Sequence, residues 1–287
     1  MEWARPHQTV AFFGLTFVFT WAFWIPSAVM FTGAVDPDAL IASPLFVALQ
    51  TLGAAGPSIV AVALTRTLHG KEALRALLKR FRPARQLAGW YCVAAVLAPA
   101  LTLVAMAIDT LAFGKPFVSP ESGLAEMVAE MGWLGAVAVL PVVLATQLFS
   151  SPLLEEAGWR GFALPRMQVR ASALTASLAL GVTWGFWHLP LVVAYGDPFA
   201  PYLAGIVAYT VLMTWIFNSG SGNLFLMLLF HASLNLSLNI LLPLQAGWTP
   251  ALVAWSAVLV VVFLFGRKNL SRRERYVEQS DGIGVSP

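Results

Sequence analysis

Long apolar runs separated by short polar connections dominate this chain. Each run is about as long as a helix needs to cross a hydrocarbon core of roughly 30 Å. Eight can be marked out, over 9–32, 44–65, 88–112, 133–154 or beyond, 172–195, 202–217, 222–243 and 249–266. The pattern predicts an all-α fold: a polytopic transmembrane helix bundle, with a single membrane domain over 1–270 and a polar tail over 271–287 that is expected to be disordered. The sixth run is short and the fifth contains Pro190, so a tilt, a kink or a re-entrant turn is expected in each. The first run carries Trp21 and Trp24 and is too long for the apolar part of a secretion signal, so it reads as a retained helix. No long-period repeat is visible.

The connections predict an orientation. Arg66, Lys71, Arg75, Lys79, Arg80, Arg82 and Arg85 crowd the loop between the second and third runs. Arg160, Arg166 and Arg170 follow the fourth run, and Arg267, Lys268, Arg272, Arg273 and Arg275 follow the last. Asp36 and Asp38, then Asp109, Glu121, Glu126 and Glu130 with only Lys115 opposing, mark the alternate connections. Basic connections stay in the cytoplasm, so eight spans with both termini cytoplasmic satisfy every cluster. The loop 66–87 also has apolar residues spaced as in an amphipathic surface helix, among them Leu74, Leu77 and Leu78; a solvated basic loop is the preferred reading.

Composition agrees with a cell-membrane protein: 59% of residues are hydrophobic and 11% charged, with mean hydropathy +0.76. The net charge of +3 comes from the loop clusters and predicts no nucleic-acid partner. Cys92 is the single cysteine, so there is neither a disulfide framework nor a Cys-rich metal motif, and a packing role is expected for it.

Against this apolar background the stretch Ser150-Ser-Pro-Leu-Leu-Glu-Glu-Ala-Gly-Trp-Arg-Gly stands out. Ionisable groups in a membrane helix are costly and usually functional. Glu156 and Arg160 are four apart and can pair on one helix face, whereas Glu155 points roughly 100° away with no helical cation to neutralise it. His188 follows Trp184 by four in the fifth run, and Asn235 follows His231 by four in the seventh, with Asn239 one turn further. Taken singly, each has a bland reading: Asn235 and Asn239 as interhelical hydrogen-bond glue, Glu156 with Arg160 as a structural ion pair, Trp184 as packing. Together they point to a catalytic or proton-handling constellation. No His-Glu-x-x-His, nucleotide-binding or serine-protease arrangement accompanies them, and no aspartate pair lies in the runs.

Glu155-Glu156-x-x-x-Arg160, an aromatic-x-x-x-His188 and His231-x-x-x-Asn235, in this order, resemble the three-motif pattern of the CAAX prenyl endopeptidase and bacteriocin-processing (CPBP) intramembrane proteases. The resemblance covers about 133–243, and Trp184 stands where that family usually has Phe. It implies a hydrolase, an intramembrane peptidase acting near the cytoplasmic membrane face from a cytoplasm-facing cavity. In it Glu155 activates water, Glu156 and Arg160 form the supporting pair, His188 assists Glu155, and His231 with Asn235 binds the oxyanion. The implied partners are the bilayer and a peptide or protein substrate at the membrane, lipidated or a bacteriocin precursor. No cofactor is required by this reading, although the family is often described as metal-dependent; zinc or another divalent metal would take Glu155, His188 and His231 as ligands. Two other classes remain: a secondary transporter relaying protons or ions through the same residues, and a non-catalytic membrane partner.

Depth sets a condition on all of these. A fourth helix ending at Leu154 would leave Glu155 at the surface, about 14 Å short of His231 at 1.5 Å per residue; one continuing to about Leu164 would bring the two level. His188 counts out deeper by several ångströms.

Overall fold

The computed structural model describes residues 7–242 and 247–277. Every regular element among them is helical, and six helices are long and apolar enough to cross a membrane, or up to eight if each of two bent pairs is one span. The protein is a multi-pass helical membrane protein.

The first span is α1 (Gln8–Thr32). The second is a bent pair, α2 (Pro44–Ala54) and α3 (Gly56–Leu68), turning by 44° at Ala55. Pro57 causes this break, because a proline in the first turn of a helix needs no amide partner there, whereas inside a continuous helix it would cost one. The amphipathic α4 (Gly70–Lys79) follows, with Ala73 and Leu77 buried and Leu78 exposed. The connection 66–87 is therefore a packed surface helix and not a solvated loop. α5 (Ala88–Phe113) ends at Gly114 in the left-handed region. Cys92 is exposed on it, so the expected packing role does not hold. Asp109 sits in its last turn, not in a loop, within reach of Lys115 Nζ at 2.8 Å and Thr249 Oγ1 at 2.5 Å.

The fourth apolar run divides. α6 (Gly123–Gln147) is kinked at Gly132, and a separate helix, α7, runs over 151–170. α7 begins as Ser151–Glu156, widens into a π-helical turn over Ala157–Ala163 and closes as Leu164–Arg170. All seven residues of the wide turn are buried. Its glycines allow this: a Cβ on Gly158 would lie 2.5 Å from Pro57 Cβ, so α7 packs against the broken start of α3 with nothing between. The fifth span is the second bent pair, α8 (Ala173–Trp187) and α9 (Leu189–Tyr195), turning by 52° at His188. Pro190 in the first turn of α9 makes the expected kink. The last spans are α10 (Phe199–Ser219), α11 (Leu224–Leu236, wound on as a π turn through Ser237–Leu241) and α12 (Trp248–Phe265).

The two ends of the bundle differ in chemistry. At one, the Arg80 guanidinium donates to the carbonyls of Gly161, Gly222 and Arg160 and lies over the rings of Phe217 and Tyr276. Gln168 and Asn218 bond to one another, to Asn269 O and to both backbone groups of Tyr276. Residues 271–277 are thus held in place, with Ser271 and Tyr276 buried, and not disordered as expected; 278–287 lie outside the described residues. The basic clusters collect at this end. The other end holds Asp36, Asp109 and Asp197, with Tyr195 bonded to Gln50 and packed on Phe31.

Candidate active site

The π turn of α7 is where the first motif lies, and its geometry divides the two carboxylates. Glu156 and Arg160 are fully buried, with Arg160 Nη1 donating to Glu156 Oε1 at 2.9 Å. The same oxygen meets His231 Nδ1 at 2.8 Å. Arg160 is further covered by the Trp184 ring, 4.3 Å from its guanidinium carbon. Glu155 points elsewhere, as its place one residue earlier requires. Its Oε2 accepts two indole N–H groups, from Trp184 at 2.9 Å and Trp159 at 3.2 Å. Trp184 is therefore a ligand of the carboxylate and not packing alone. Trp159 follows Glu155 by four, the same spacing as Arg160 after Glu156, and that spacing was the available signal for it.

His188 sits at the break between α8 and α9, its Nδ1 2.9 Å from the Trp184 carbonyl and its ring among Trp24, Trp184, Trp187 and Tyr202. Asn235 donates from Nδ2 to Ser151 Oγ at 2.9 Å. Asn239 is exposed on the π turn that ends α11.

Depth is resolved by where the helices start. α7 continues past Leu164 to Arg170, and α11 begins well inside the bundle, where Leu224 N donates to Arg80 O. Counted from the Arg80 level, Glu155 is six residues beyond Gly161 and His231 nine beyond Gly222, about 9 and 13 Å. The break at His188 removes the excess depth of the fifth run.

Glu155, His188, His231, Asn235 and Asn239 all line one cavity of about 530 Å³. The fourth, fifth and seventh runs supply its reactive wall, and Trp24, Gln50 and Tyr202 complete it. Glu155 and Trp184 lie at its floor. Behind them Trp159, Arg160 and Phe162 are 0% exposed and close the way to the basic end. Gln50, Tyr195, Asp197 and Asn239 mark its other limit, at the acidic end.

The partners of the histidines fix their tautomers. A carboxylate already bonded to arginine, and a backbone carbonyl, can only accept, so Nδ1 carries the hydrogen in both rings and Nε2 is left for the cavity. That is also the form a metal ligand takes. Yet no three His, Cys, Asp or Glu side chains among the described residues are gathered closely enough to hold an ion. The residues as placed do not form a metal centre.

A cavity lined by a carboxylate, two imidazoles and two amides, set among membrane-spanning helices, gathers the groups that acid–base chemistry uses. Comparison with known proteins narrows it. Residues 136–237 match the family described as type II CAAX prenyl endopeptidase Rce1-like. The chain is 24% identical over 245 residues to CAAX prenyl protease 2 of Methanococcus maripaludis, covering 80% of this chain and 83% of that protein. The resemblance carried by the three motifs is thereby supported: over 136–237 the chain is similar to the Rce1-like type II CAAX prenyl endopeptidases, and along most of its length to a CAAX prenyl protease.

Proposed function

We propose that the protein is an intramembrane endopeptidase in which Glu155 activates water without a metal. The observation that carries this is the asymmetric Glu155 carboxylate: Oε2 is held by two indoles, while among the described residues Oε1 has no such donor and the side chain lines the cavity. A carboxylate oriented in this way is fit to take a proton from water as its oxygen attacks a peptide carbonyl carbon.

Charge counting gives the rest of the cycle. Glu155, Glu156 and Arg160 together carry one negative charge in excess, and a buried cluster is stabilised when it is neutral. One proton, on Glu155 or on His231 Nε2, achieves this. In the reactive arrangement Glu155 is the base and the His231 imidazolium, held by Glu156, is a donor to the developing oxyanion beside Asn235 Nδ2. His188 Nε2 accepts from the attacking water and keeps it aligned. Collapse of the tetrahedral intermediate breaks the C–N bond; the proton held by Glu155 passes to the leaving amine, and the new carboxylic acid then gives its own proton to that amine, leaving a carboxylate and an ammonium group.

The test is cleavage of membrane-anchored peptides by the purified full chain, with Glu155→Gln as control. Cleavage lost in the variant while the fold is retained is the expected result. Proton or ion transport in liposomes, with no peptide of a broad panel cut, would replace this reading with a relay.

A further inference from the structure

We propose that the basic end of the bundle holds an anionic phospholipid, its phosphate among Lys79, Arg82, Arg272 and Arg273 and its acyl chains along the apolar flank beside them. None of these residues lines the cavity, and the proposal does not rest on the peptidase reading.

The first edge of the site is α4. Ala73 and Leu77, four apart, bury one of its faces. Lys71, Arg75 and Lys79, also four apart, therefore form a stripe on the opposite face, and all three are exposed. Leu78, 51% exposed, stands on the same outward side. That mixture suits a helix lying at a membrane surface, with apolar side chains toward acyl chains and cations toward phosphates. The chain then brings further cations to one short turn, 220–223, between α10 and α11. Asn223 Nδ2 donates to Arg82 O and Arg273 Nη1 to Ser221 Oγ, each at 2.9 Å, so the loop after α4 and the chain after α12 both meet that turn. Arg272 follows α12 closely: its guanidinium carbon lies 6.0 Å from the Phe265 ring, in the last turn of that helix, where Leu264 is 62% exposed.

Charge says what the site takes. Among the described residues Glu72 and Glu274 are the acidic side chains at this end; Glu72 is paired with Arg75, and Glu274 stands between Arg273 and Arg275 in the chain. Lys79, Arg82 and Arg272 make no ion pair among the described residues. Cations gathered in this way repel one another unless an anion lies among them. The positive-inside rule accounts for basic residues within a connection, but not for two separate connections converging on one turn. A free phosphate would satisfy the cations alone, whereas a phospholipid also covers Leu78 and Leu264, exposed at their flanks. A zwitterionic headgroup would add an ammonium to a cluster that is already positive, so the lipid that fits is an anionic one.

Lipid titration of the purified, delipidated full chain in detergent, followed by native mass spectrometry and by thermal unfolding, tests the site. Phosphatidylglycerol should bind more tightly than phosphatidylcholine and raise the unfolding temperature further, and both differences should shrink as ionic strength rises. Each cation at an anionic surface is worth roughly fivefold in affinity, so Lys79→Gln, Arg82→Gln and Arg272→Gln together should weaken phosphatidylglycerol binding on the order of a hundredfold. Lys115→Gln, at the acidic end, should leave it unchanged. Equal binding of the two lipids, or undiminished phosphatidylglycerol affinity in the triple variant, overturns the proposal. Inorganic phosphate that raises the unfolding temperature as much as phosphatidylglycerol does would make this a site for a free anion, and overturns it as well. If the triple variant fails to accumulate, the comparison of the two lipids and of phosphate on the parent chain still decides.

Discussion

The two ends of this bundle spend their polar groups in opposite ways. At the basic end, Arg80, Gln168 and Asn218 cross-tie α7, α10, the start of α11 and the chain after α12, almost entirely to backbone carbonyls and to one another. These three buried or half-buried side chains line no cavity. At the acidic end Gln50, Asp197 and Asn239 stand around a cavity. The lesson is that in a membrane interior, where an unsatisfied polar group is costly, the closed end fixes depth and the open end keeps reactivity. Glu156 and Glu155, neighbours in sequence, fall on either side of that division.

The largest expected effect tests the division at the carboxylates. Glu155→Gln keeps the shape and both indole contacts but removes the base, so turnover should fall on the order of 10²–10⁴. Its thermal unfolding in detergent should match that of the parent. A variant that unfolds early would make Glu155 a structural residue like its neighbour. Arg160→Met should do the opposite. It leaves Glu156 buried without its cation, a loss of about 3–5 kcal/mol, seen as a large fall in unfolding temperature. Adding Glu156→Gln to Arg160→Met should recover part of it; no recovery would show that the arginine acts through packing on Trp184 and not through charge.

Arg80→Ala is the next largest. Removing a guanidinium that bonds three carbonyls should cost about 2 kcal/mol of stability. If the closed end only fixes depth, turnover below the unfolding temperature should stay near that of the parent. A turnover loss matching that of Glu155→Gln, at unchanged stability, would place Arg80 in the chemistry.

How much of this could be read from the chain varies with the physics involved. Span positions follow from apolar length, and the structure keeps them with small shifts except in the fourth run, which divides into α6 and α7. The Glu156–Arg160 and His231–Asn235 spacings were legible because helical phase is local. Pro190 announced its kink. Depth was not legible, because it depends on where α11 begins, and that is set by Arg80 from a distant loop. Nor was the π turn, which rests on Gly158 meeting Pro57 across two helices. Trp184 was read by its ring, and its N–H went unread because its acceptor lies 29 residues away.

That N–H gives the smallest and most discriminating effect. Trp184→Phe keeps an aromatic ring over Arg160 and against His231, whose ring centroid lies 5.3 Å from that of the indole, so stability should change little. It removes one of the two donors on Glu155 Oε2. One hydrogen bond of this kind is worth about 0.5–1.5 kcal/mol, so kcat should fall about twofold to tenfold. KM should hold, since the bond acts on the base and not on the peptide. Trp159→Phe should do the same with a smaller effect, its bond being longer at 3.2 Å. The double variant should lose more than the two singles combined, because the second loss frees the carboxylate to turn. Strict additivity would mean that the helix backbone alone orients Glu155, and the contrast with Glu156, held by Arg160 of its own helix and His231 of α11, would then be one of burial and not of hydrogen bonding.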